Sequence, residues 1–133
     1  MYFLREQRVL GALGGAAPAA EIKVDGKSVG AVTNGSYIFV DRPPGLYKLA
    51  VQSGITLAFE TDVRVEASGA YYFNIGVPRT GAPGTDLLNQ AYAGGSGQPM
   101  RGQSPLTAGF SGAVLYSLDP SAGAAAIERL KGL

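Results

Sequence analysis

Residues 57–66 read Leu57-Ala58-Phe59-Glu60-Thr61-Asp62-Val63-Arg64-Val65-Glu66, and their alternation decides the fold class. Leu57, Phe59, Thr61, Val63 and Val65 point one way, and Ala58, Glu60, Asp62, Arg64 and Glu66 the other. That period of two is the signature of a half-buried strand. A slip of one residue would bring three carboxylates and a guanidinium into the core, so the facing is strongly specified.

The same pattern extends outward in both directions. Upstream, Tyr47, Leu49 and Val51 alternate with Lys48 and Gln52; downstream, Tyr71, Phe73, Ile75 and Val77 repeat it, which turns Tyr72 outward beside Asn74. Ile22 and Val24 alternate with Glu21, Lys23 and Asp25, and Tyr2-Phe3-Leu4-Arg5 reads as a first strand. Ser36 to Asp41 is apolar on both faces, as a central strand is. Between the runs stands turn chemistry. Asp25-Gly26 and Asn34-Gly35 suit two-residue type I′ hairpins, Pro43-Pro44-Gly45 suits a tight turn with a left-handed glycine, and Ser68-Gly69 closes the long strand. Short alternating strands joined by turns predict an all-β, antiparallel Ig-like or prealbumin-like β-sandwich. The whole of 1–133 reads as one such domain.

Two connections break the period: 6–19, rich in Gly and Ala, and 78–107, rich in Gly and Pro. Loops of that length are commonly functional. A last strand near 109–118 leads to Asp119-Pro120, an N-cap followed by proline at the first helical position, and so to a short helix over about 120–131. Its inner stripe is Gly123, Ala126, Ile127 and Leu130; Gly123 permits close approach to the sheet, and Lys131 near the end suits the helix dipole.

Composition narrows the chemistry. The 133 residues are 46% hydrophobic and 16% charged, with a net charge of +1, which lacks the dense basic face of a nucleic-acid binder. The chain has no Cys and no His, which removes thiol nucleophiles, disulfides, the usual zinc ligands and the usual base at neutral pH. No run reaches the roughly 18 apolar residues of a membrane-spanning helix. Val9 to Ala20 lacks the segment order of a signal peptide, and the native gene is expected to encode more before Met1.

Ile22-Lys23-Val24-Asp25-Gly26-Lys27-Ser28-Val29-Gly30, then Gly35-Ser36-Tyr37, Pro44-Gly45 and Ala67-Ser68-Gly69-Ala70-Tyr71-Tyr72, in that order and spacing, resemble the bacterial DUF2846 family. Tyr2-Phe3-Leu4-Arg5 is similar to its first strand and Ser121 to Leu133 to its closing helix. The resemblance implies an exported β-sandwich of the periplasm or outer membrane, often a lipoprotein anchored upstream of the domain. It implies no reaction and no catalytic residues. The chain shows no lipobox, and its 78–107 connection is longer than the resemblance leads one to expect.

Each candidate site has an ordinary structural alternative. Glu60 and Asp62 share a face with Arg64 and Glu66, which is the usual pattern of a solvated strand face rather than an acid–base pair. Gly11-Ala12-Leu13-Gly14-Gly15 lacks the Lys-Ser/Thr and helix of a phosphate loop. Asp25, Asn34, Asp41 and Asp86 lack calcium-loop spacing, and Ser111 or Ser121 with Lys131 carries no mark of an activated pair. No cofactor, metal or catalytic residue is expected. Tyr72 is a candidate stacking ring, although a cross-strand aromatic or a ring covered by the helix accounts for it better. Leu87, Leu88, Tyr92, Met100 and Leu106 place apolar side chains in a polar segment, which either tucks back or docks on a partner. The expected function is therefore a non-enzymatic structural or interaction module of the cell envelope. It binds envelope proteins or itself through 78–107 and its sheet edges. The rival is a glycan- or peptidoglycan-binding sandwich using exposed aromatics.

Overall fold

A computed structural model describes residues 1–6, 19–54, 58–67, 69–76, 98–100 and 113–132. The strands are β1 (Tyr2–Arg5), β2 (Ala20–Val24), β3 (Lys27–Val32), β4 (Ser36–Phe39), β5 (Gly45–Ser53), β6 (Phe59–Val65), β7 (Tyr72–Gly76), β8 (Gln98–Pro99), β9 (Val114–Leu118) and β10 (Lys131–Gly132). Among the described residues one helix, α1 (Pro120–Glu128), follows β9. The strands form two sheets, in the orders β10-β4-β1-β7-β9-β8 and β3-β2-β5-β6. The fold is a β-sandwich with a short C-terminal helix.

The period-two residues make the core. Phe3, Phe73, Ile75 and Leu115 of the larger sheet join Ile22, Leu49, Val51 and Phe59 of the smaller in one buried cluster. Each of these side chains stabilises the fold by roughly 1.5–3 kcal/mol through apolar burial. Glu60, Asp62 and Arg64 lie on the exposed face of β6 while Phe59, Thr61 and Val65 are buried, as the alternation requires.

The larger sheet is mixed rather than antiparallel. β1 pairs with β4 antiparallel but with β7 parallel, Phe3 opposite Phe73. The chain between β1 and β7 passes through the whole second sheet, and so long a crossover permits the parallel return. β7 is consequently an inner strand, and α1 packs on it. Asn74, whose alternation promised a wet face, is fully buried.

The turns differ in part from their sequence signatures. Asp25 (φ 51°) and Gly26 (φ 82°) are both left-handed, as type I′ demands. At Asn34-Gly35 only Gly35 has positive φ (76°), and the Ser36 N–H donates to the Thr33 carbonyl at 3.2 Å. A positive φ at the third position alone is a type II pattern, and the turn carries the chain from one sheet to the other instead of closing a hairpin. Gly45 is not left-handed; it opens β5, and the Pro43 carbonyl accepts instead from the Tyr47 hydroxyl. β4 lies inside the sheet, but Phe39 at its end is 55% exposed, so its two faces are not both covered.

The Asp119 carboxylate caps α1, accepting from the Ala122 N–H at 2.8 Å. The helix ends at Glu128, three residues short of the predicted 131, and no basic residue stands in its last turn. Lys131 belongs to β10, which pairs parallel with β4. The sheet edge captures this last segment, so Lys131 lies past the end of the helix and not in its last turn. Gly123 and Ala126 form the buried stripe. A Cβ on Gly123 would lie 2.1 Å from Cγ of Tyr72, so the helix backbone rests directly on that ring.

Gly123→Ala removes a helix-weakening glycine, which in an exposed helix gains about 1 kcal/mol. Here the added methyl meets the Tyr72 ring, and we expect a net loss of roughly 1–3 kcal/mol by urea denaturation, in the range of overpacking. Truncating the ring with Tyr72→Ala in the same chain should return Gly123→Ala to a stabilising change.

Candidate interaction surfaces

Two surfaces stand out among the described residues: an aromatic row on the outer face of the larger sheet, and the free edge of the smaller one. The row follows from pairing. Tyr2 sits opposite Phe39 on one side and Tyr72 on the other. Its ring stacks on Tyr72 with centroids 4.9 Å apart and planes at 9°, and meets Phe39 at 4.8 Å and Tyr37 at 6.1 Å. Tyr2, Tyr37 and Tyr72 are half-buried, and α1 rests on the Tyr72 end through Gly123. Only Phe39 opens broadly to solvent. The Tyr72 ring is therefore cross-strand stacked and helix-covered.

The smaller sheet ends in β3 and β6, and these edges are unlike. β3 carries a register shift against β2 between Ile22 and Lys23, and Gly30 at φ 145°. Bulges of this kind twist an edge away from further pairing. β6 pairs with β5 in one unbroken register from Gly45–Val65 to Val51–Phe59. Its inward residues are Phe59, Thr61, Val63 and Val65, with no proline and no inward charge. On the wet face the register sets Glu60 beside Ala50, Asp62 beside Lys48 and Arg64 beside Leu46, which is 65% exposed.

The other sequence candidates disperse. Glu60 and Asp62 are solvated on β6, and no group of three His, Cys, Asp or Glu able to hold a metal occurs among the described residues. Asp25 serves its turn, accepting from the Lys48 N–H at 2.9 Å. Ser121 is exposed on α1. Met100 tucks back: its N–H donates to the Leu115 carbonyl at 3.1 Å and its side chain packs half-buried against the core. Leu87, Leu88, Tyr92 and Leu106, with Asp86, Ser111 and the Gly11–Gly15 run, lie outside the described residues. An open cleft of about 330 Å³ between Glu6, Ala126, Arg129 and Leu130 is crossed by the Arg129–Glu6 pair at 3.8 Å. Tyr2, Tyr37 and Phe39 were not singled out from the sequence. Their only signal there is aromatic content in two strands that the sequence does not pair.

A comparison with known families matches residues 1–83 to DUF2846, a protein family of unknown function. The chain belongs to the DUF2846 family. The match spans β1 to β7, hence the whole smaller sheet and β6 with it, and stops before α1. The likeness of Ser121–Leu133 to a closing helix of the family falls beyond the matched residues. No curated protein and no solved structure matches the chain. No described helix of this DUF2846 chain is long and apolar enough to cross a membrane.

At the end of the sandwich where β1 starts, the Met1 amine donates to the Val40 carbonyl at 2.8 Å. Burial lowers its pKa below the ordinary 8.0, against an opposing pull from Asp41. The unfolded chain therefore binds the proton more tightly, and stability rises with pH between the lowered value and 8.0. In the chain starting at Met1, N-acetylation should abolish this part of the pH dependence of Tm. The stacked pair gives a second expectation. A double-mutant cycle of Tyr2→Leu and Tyr72→Leu should return a coupling of about 0.5–1.5 kcal/mol, whereas Phe39→Leu should change stability little.

Proposed function

We propose that this DUF2846 chain is a non-enzymatic interaction module of the bacterial cell envelope, and that it binds protein partners by adding a strand to a sheet edge. The observation that carries the reading is β6: seven residues in unbroken register, at the outside of its sheet, with no bulge, proline or inward charge. Those devices are what edges use to refuse a further strand. The outward charges leave the backbone donors and acceptors of the edge accessible and select which strand is accepted. The family resemblance supports export to the periplasm or the outer membrane, with any lipid carried upstream of the domain. Leu87, Leu88, Tyr92 and Leu106, the apolar side chains of 78–107, are the second proposed contact with a partner.

A second reading, glycan or peptidoglycan binding, is favoured by Phe39, which is exposed at the end of an aromatic row. It shifts the weight of sugar stacking from the covered Tyr72 to Phe39.

The test uses protein gently extracted from its native cells, with photo-crosslinkers placed at Glu60 and Arg64. The interaction reading expects envelope fractionation and β6-directed adducts. A monomer without β6 adducts, combined with sedimentation on peptidoglycan that Phe39→Ala abolishes, would replace it by the second reading.

A further inference from the structure

The charges along β6 are self-complementary. Two antiparallel copies of one strand keep their inward faces on the same side only in registers that place the two-fold axis through a residue. With the axis through Asp62, Glu60 stands opposite Arg64 of the second copy, and Arg64 opposite Glu60, while Phe59 meets Val65 and Thr61 meets Val63 on the inner side. All seven residues of the strand are then paired. The two Asp62 carboxylates meet at the axis, each already beside Lys48 of its own β5.

The neighbouring registers are worse. An axis through Thr61 sets Glu60 against Asp62 twice and gives Arg64 no acid. An axis through Val63 sets Asp62 against Arg64 but also Glu60 against Glu66, twice each. In-register parallel pairing sets every charge against its own kind. Glu60, Asp62 and Arg64 are all exposed, so the row is available without rearrangement. We propose that β6 pairs with β6 of a second copy of this chain, antiparallel about a two-fold axis at Asp62, joining two four-stranded sheets into one. Such an interface is isologous and closed, so it stops at the dimer. The proposal rests on the interaction reading above and names the partner of that same edge.

The chain contains no cysteine, so a single introduced thiol reports register cleanly. Oxidation of Asp62→Cys should give a covalent dimer, because directly opposed residues lie within disulfide reach. Glu60→Cys alone should not, since its copies lie about 13 Å apart along the strands, whereas a mixture of Glu60→Cys and Arg64→Cys chains should cross-link. In sedimentation, Glu60→Arg and Arg64→Glu should each weaken dimerisation about tenfold or more, and mixing the two variants should restore it, because each then finds its opposite in the other. Asp62→Asn removes the like-charge contact and should tighten the dimer.

A wild-type chain that stays monomeric at high concentration, with Asp62→Cys unlinked, overturns self-pairing. If β6 adducts to another envelope protein persist in that case, the interaction reading stands and only the partner changes. A dimer in which Glu60→Cys links and Asp62→Cys does not overturns the register and the proposal with it.

Discussion

The larger sheet depends on one pairing, that of β1 with β7. Four residues, Tyr2–Arg5, sit between β4 and β7 near the middle of the sheet, so β1 is an internal strand of the sandwich. On the inner face the pairing brings Phe3 to Phe73 with ring centroids 5.4 Å apart, and on the outer face it stacks Tyr2 on Tyr72. Without β1, β4 and β10 would have no link to β7, β9 and β8, and the fully buried Phe3 and Leu4 would leave the core. The contact is non-local, so its closure carries an entropic cost that the packing of the two sheets offsets.

The helix follows from that arrangement. An inner strand with an aromatic ring on its outer side needs a cover, and α1 supplies one thin enough to lie against Tyr72 because Gly123 has no side chain there. The helix is then stopped after Glu128, and the chain turns into an edge strand on β4. One end of the larger sheet is closed in this way by a two-residue strand, and the other by β8, also two residues long. Very short edge strands are a usual means of ending a sheet without inviting another chain. The smaller sheet does the same at β3, by a bulge, and not at β6. That asymmetry is why the functional reading gathers on β6.

The functional reading uses no chemistry beyond backbone hydrogen bonds and the charges that select among them. The acidic and basic residues of β6 were legible in the sequence as a solvated face. Their place at an edge was not, because strand order is a tertiary property. The aromatic row was hidden for the same reason: Tyr2, Phe39 and Tyr72 lie far apart in the chain, and alternation within each strand says nothing about which strands meet.

What the residues determined alone is local. Alternation in 59–65 fixed which side chains enter the core, since the wrong facing would bury charges; Asp25-Gly26 formed its left-handed turn because those two residues tolerate it; Asp119-Pro120 began the helix where its carboxylate caps an orphan N–H. What only the tertiary structure decided is long-range. The parallel return of β7, the burial of Asn74, the sheet-to-sheet turn at Gly35, the early end of the helix and the place of β6 at the end of its sheet among the described strands all depend on which strand lies next to which. Side-chain periodicity carries no record of neighbours, because a strand presents the same two faces whatever pairs with its edges.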